Sequence, residues 1–251
     1  MLPVAYISLQ IHFELTDSIE DVMLKTADPP WGVNSQSTSW HIEEPVLICD
    51  LLQVDSSLAA EYSNFLLKGS TLSIPFVSYY TSPHAVTNGP AGFQIAMTRS
   101  LSRLKAFFVT FSSNANSKYC HDMMYPSISA SAITEFVAQI GSEKYPSHGE
   151  LKTLPEYWHR LLEAIGIHAS VFTSSAISLT DFTADSFVIG INLQKVLSDD
   201  GKSNYSGKST KMGDLVSLRC KNIATSIDTC WVTLVYDGIL TLSEEAAAVF
   251  D

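Results

Sequence analysis

A mainly β protein, built as an antiparallel β-sandwich with two short helices in its connections, is the fold class this sequence predicts. Three observations predict it. Apolar residues fill 46% of the 251 positions and charged residues 16%, the balance of a chain that packs a core. Short runs alternate apolar with polar residues, the period of a half-buried strand, and these runs dominate the last third. Only two stretches carry helical spacing, too few for the strand–helix–strand rhythm of a parallel sheet.

The elements follow in order. Ile7, Leu9, Ile11, Phe13 and Leu15 alternate with Ser8, Gln10, His12 and Glu14, which predicts a strand. A strand so near the start suggests that an upstream portion is lacking. Residues 26–44, with Pro29, Pro30 and Gly32, read as a loop, and residues 45–53 as a short apolar run. Residues 54–69 predict a helix capped by Asp55 or Ser56. Leu58, Tyr62, Phe65 and Leu66 fall at helical spacing, and Gly69 ends it. Residues 71–81 read as a strand, 82–92 as a loop, and 93–112 as one or two strands. A long polar loop follows. Residues 132–141 read as a strand, with a helix as the alternative. Residues 151–165 form the clearest helix, with Pro155 in its first turn and Leu154, Trp158, Leu161, Leu162 and Ile165 on one face. Residues 186–197, 213–221 and 229–242 read as strands, the last holding Asp237-Gly238 as either a hairpin turn or a kink.

Charge and cysteine usage narrow the function classes. The chain carries 15 basic and 26 acidic residues, a net charge of −11, so it repels phosphate backbones and direct nucleic-acid contact is not expected. Cys49, Cys120, Cys220 and Cys230 form no CxxC pair and suit a reducing compartment. Cys220 and Cys230 could face each other across a hairpin. The first residues lack the basic region of a signal peptide, and no apolar run reaches the roughly 20 residues of a membrane span. Secretion by signal peptide is thus not expected; an intracellular location is.

Candidate chemistry is sparse. Gly207-Lys208-Ser209-Thr210 resembles the end of a phosphate loop, but Gly201 lies one position too far and a strand follows, so a solvated turn is the reading. Glu156 and His159 share a helix face at the spacing of half a di-iron site, yet the other helix offers only Glu61. Cys120, His121 and Asp122 lie in a loop without a fixed partner. Asn204-Tyr205-Ser206 matches a glycosylation acceptor that lacks a secretory context. No catalytic, metal or cofactor-binding residue is therefore assigned, and no cofactor is expected. Arg99 and Arg103, just before the strand Lys105–Phe111, are the candidate interface residues: a planar guanidinium suits a carboxylate on a neighbouring subunit or loop.

Four stretches carry a family resemblance. The first is Thr98-Arg99-Ser100-Leu101-Ser102-Arg103-Leu104-Lys105 running into Phe107–Phe111. The second is Gln139-Ile140-Gly141-Ser142 with Tyr145-Pro146, followed by a helix with Glu156-Tyr157. The third is Phe187–Leu193 with Ser206-Gly207 and Gly213-Asp214-Leu215-Val216. The fourth is the tail from Trp231 to Leu242, ending in Val249-Phe250-Asp251. In order and spacing these resemble double jelly-roll major capsid proteins of eukaryotic DNA viruses, especially the polinton/adintovirus-like group and its endogenised relatives. The resemblance covers roughly residues 98–251, with 45–81 fitting more loosely. Ser243-Glu244-Glu245-Ala246-Ala247 departs from it, and the chain is shorter than such proteins.

The resemblance implies a partial first jelly roll over 1–92 and a complete second one over 93–251, including the helix 151–165. It implies a non-enzymatic capsid subunit that self-associates, as a homotrimer and then a shell, in a virion or inside the host cell. The alternative is a β-sandwich carbohydrate- or ligand-binding module using Trp31, Trp40, Tyr79 and Tyr80 as stacking platforms. A hydrolase on the same scaffold comes third.

Overall fold

The structure is a computed structural model that describes residues 10–14, 41–87, 89–112, 135–166, 175, 177–184, 186–194, 207–211, 213–224, 227–243 and 247–251. In chain order the elements are α1 (Ser56–Leu67), β1 (Leu72–Ala85), β2 (Phe93–Met97), β3 (Leu104–Ser112), β4 (Glu135–Ile140), β5 (Glu143–Tyr145), α2 (Leu154–Ile165), α3 (Leu179–Ala184), β6 (Ile189–Asn192), β7 (Val216–Lys221), β8 (Thr229–Leu242) and β9 (Ala247–Phe250).

The strands form two antiparallel sheets. One runs β1-β8-β3-β6, with β9 added on β8; the other runs β2-β7-β4-β5. From β1 to β8 the chain thus builds two four-strand layers in the nested order of a jelly roll. Alternation explains the layers. On β3, Phe107, Val109 and Phe111 are wholly buried, and on β7, Val216, Leu218 and Cys220 are buried while Arg219 is exposed. The inward residues of both sheets share one core, where the rings of Phe107 and Phe136 lie 6.5 Å apart.

By internal contacts the chain divides into two units. One comprises Met1–Phe76 with Gly238–Phe250, the other Val77–Asp237 with Asp251. The second holds the core just described. In the first, α1 is capped by Asp55, whose Oδ2 accepts from the Ser57 amide at 3.3 Å, which decides between the two candidate caps. Leu66 is the buried residue of α1; Leu58, Tyr62 and Phe65 stand more than 40% exposed.

Several expectations need correction. The loop expected over 82–92 begins late, because β1 continues through Ala85. Pro83 is exposed while Ser82 and His84 lie half-buried, and a strand at a sheet edge, as β1 is, tolerates proline. Asp237-Gly238 makes no hairpin; β8 runs through both residues. The buried face of α2 centres on Tyr157 and Leu161, and Ile165 is 46% exposed. Tyr157 takes that place because its hydroxyl donates to Leu151 O at 3.0 Å and its ring meets Phe187 edge-on at 5.2 Å. A third helix, α3, was not expected. It is six residues long, too short to show periodicity, and Phe182 anchors it against the rings of Trp158 and Phe187. The strand expected over 7–15 is described only at 10–14, where no strand is formed.

Candidate functional site

The segment from Thr98 to Arg103 carries the chain from β2 in one sheet to β3 in the other. Leu101, fully buried, anchors it. Its amide donates to Thr210 Oγ1 at 2.8 Å, and the Thr210 amide donates to Leu101 O at 2.8 Å. Leu104 and Lys208 exchange two backbone hydrogen bonds of 2.9 Å. Gly207-Lys208-Ser209-Thr210 is therefore stitched to the entry of β3. A Cβ on Gly207 would come within 3.1 Å of the Arg103 backbone. Lys208 reaches Glu143 at 2.9 Å.

This clamped turn presents Arg99. Its guanidinium lies 5.3 Å from the centre of the Tyr80 ring and 5.8 Å from that of Tyr236. Its Nη2 donates to Asp251 Oδ2 at 2.5 Å. Two more donors converge on the same residue: Ser102 Oγ at 2.7 Å and Lys211 Nζ at 2.5 Å, both to Asp251 O. The hydrogen bond to Asp251 holds the Arg99 pKa above the ordinary guanidinium value, with burial acting against it. The other candidate interface residue, Arg103, lies just before β3, where its carbonyl accepts from the Asp237 amide at 3.1 Å.

The remaining candidates from the sequence separate. Glu156 Oε2 accepts the amides of Lys152 and Thr153 at 3.0 Å each, which holds its carboxyl below the usual range. It caps α2, and His148 stands 4.0 Å away. Among the described residues no cluster of three or more His, Cys, Asp or Glu has metal-binding geometry. Cys220 and Cys230 do not face each other across a hairpin: β7 and β8 belong to different sheets, and both thiols are free and buried. Burial pushes Cys230 up to about 12, and Cys220 well above its ordinary value. Tyr80 packs on the core beneath Arg99, whereas Tyr79 is 67% exposed. Cys120, His121, Asp122, Trp31, Trp40 and Asn204-Tyr205-Ser206 lie outside the described residues. No helix among the described residues is long and apolar enough to cross a membrane.

One pair escaped the sequence reading. Lys105 and Asp237, from β3 and β8, form a buried ion pair beside an open cavity of about 250 Å³. Val77, Tyr79, Phe108, Asn192 and Val235 line that cavity together with Lys105. The only signal was an acidic residue inside an apolar run, which reads equally as a turn.

Two solved structures of virus proteins share the fold of this chain. The chain superposes on PBCV-1 VP54, solved as a crystal structure and fitted into a cryo-EM reconstruction of the virophage Sputnik. The TM-score is 0.52 at 8% identity, covering 79% of this chain and 55% of that one. It superposes likewise on a chain of the quasi-atomic PBCV-1 virus capsid, with a TM-score of 0.51 at 9% identity, covering 77% and 54%. The shared property is the jelly-roll fold, and the chain spans about half the length of these structures. No family model matches the sequence, and no curated protein matches it.

Proposed function

We propose that this chain is a capsid-type structural subunit, not an enzyme, that associates with copies of itself into trimers and then a shell. The observation that carries this reading is the nested strand order β1-β8-β3-β6 over β2-β7-β4-β5, a fold similar to solved virus capsid chains. Supporting it, the first unit exposes a run of apolar side chains: Val46 at 78%, Ile48 at 89% and Leu51 at 85%. Contiguous apolar surface of this kind marks a contact with another protein body. In this reading the roll from β1 to β8 is the second of a double-roll protein of the polinton/adintovirus-like group, so that it starts before residue 93, and the residues preceding β1 belong to part of a first. The protein resides in a virion. Arg99 takes its carboxylate from Asp251 of the same chain, Arg103 meets one on a neighbouring subunit or loop, and no cofactor or nucleic-acid contact is involved.

Size-exclusion chromatography with light scattering tests the proposal, followed by electron microscopy of the largest species. A trimer or larger closed assembly is expected. A strictly monomeric chain that binds glycans in the groove beside Tyr79 would overturn it in favour of a ligand-binding module.

A further inference from the structure

We propose that Arg99, Ser102 and Lys211 form a receptor for an acidic peptide segment, occupied in this chain by its own Asp251. Three donors on two separate segments converge on one residue. The guanidinium takes the side-chain carboxylate at 2.5 Å, while the hydroxyl and the ammonium take the main-chain oxygen at 2.7 Å and 2.5 Å. Reading side chain and main chain together recognises an aspartate in one backbone position, not merely a negative charge.

The receptor is built before it is filled. The Tyr80 and Tyr236 rings hold the Arg99 guanidinium in place. The Leu101–Thr210 hydrogen bonds fix the turn that bears Arg99 and Ser102 next to the segment that bears Lys211. Such preorganisation lowers the ordering cost of binding. The occupant's side chains offer little else to hold: Val249 and Phe250 are 63% and 58% exposed, as are their neighbours on β9. The backbone of β9 is held by its ladder to β8, from Ile239–Phe250 to Leu242–Ala247, so recognition by side chain rests on the aspartate. The site is independent of shell assembly, since every group belongs to a single copy.

The test uses the full chain carrying Asp251→Ala, which takes the carboxylate from Arg99 while leaving the main-chain oxygen to Ser102 and Lys211, and a fluorescent peptide Ala-Ala-Val-Phe-Asp. Anisotropy is expected to show saturable binding to this variant and at least about tenfold weaker binding to the wild-type chain, whose own residue competes. Replacing the peptide's aspartate by asparagine, or adding Arg99→Ala, should abolish binding. Equal binding by wild type and variant, equal binding of the aspartate and asparagine peptides, or no binding at all would overturn the proposal. A second measurement does not depend on the peptide. In the otherwise unaltered chain, Arg99→Lys keeps the charge but loses the planar fork, and hydrogen exchange at residues 247–251 is expected to quicken about tenfold. Unchanged exchange there also overturns it. Both readouts are made on one copy of the chain, so they stand or fall separately from trimer formation.

Discussion

Lys105 Nζ lies 3.2 Å from Asp237 Oδ1, with side chains only 6% and 1% exposed, across the β3–β8 pairing. Lys105 sits where the register shifts between Leu104 and Ala106, and this irregularity turns a residue from an outward position towards the strand beside it. Neither oxygen of Asp237 makes a well-directed hydrogen bond, so attraction between the two charges is what compensates their burial. Asp237→Ala would strand a buried ammonium. We predict a loss of about 3–5 kcal/mol, measured by urea denaturation. The double variant Lys105→Met with Asp237→Leu should recover most of it. If the single variant matches wild type, the pair is not structural.

Gly238 follows directly in β8. A Cβ there would come within 2.6 Å of the Phe76 ring. The glycine exists because an aromatic side chain from β1 lies over it. Gly238→Ala is predicted to cost about 1–3 kcal/mol by overpacking. Combined with Phe76→Leu, the cost should shrink, and a double-mutant cycle with no coupling would show that the contact is not the cause.

Acid sensitivity has a local source. The carboxyl of Glu156 is held below its ordinary 4.5 first by the Lys152 amide and then by that of Thr153. That of Glu135 is held below 4.5 mainly by its hydrogen bond to Lys221, with burial acting against it. A depressed folded-state pKa contributes stability that is fully present above 4.5 and is lost as pH falls through the lower folded value. Melting temperature should thus decline as pH drops below 4.5, and less steeply in Glu156→Gln. Parallel curves for the two proteins would exclude the cap as a source.

The described cysteines should differ in reactivity. Cys49 is exposed, while Cys220 and Cys230 are buried with thiol pKa values raised by desolvation. Alkylation at pH 8, followed by peptide mass spectrometry, should modify Cys49 at least roughly a hundredfold faster than the other two. Comparable rates would mean that the core between β7 and β8 opens readily.

The strands were legible where one face meets a core, as in Val216, Leu218 and Cys220 against Ser217 and Arg219, because burial imposes a period of two. The helix at Leu154–Ile165 was legible from its spacing and Pro155, although its buried face was misjudged. Tyr157 reads as polar in sequence yet is satisfied inside by Leu151 O. Arg99 was a candidate from the sequence, but its carboxylate partner Asp251 lies 152 positions away, and no local pattern encodes such a pairing.

By itself the sequence determined the mainly β class, most strand and helix positions, and the candidacy of Arg99, since each follows from neighbours a few residues apart. Tertiary structure alone decided that Asp237-Gly238 stays within a strand, that Cys220 and Cys230 belong to opposite sheets, and that Asp251 fills the site at Arg99. Those outcomes depend on which distant segments meet, and the free energy of such meetings is shared over a whole core, not written in any one stretch of chain.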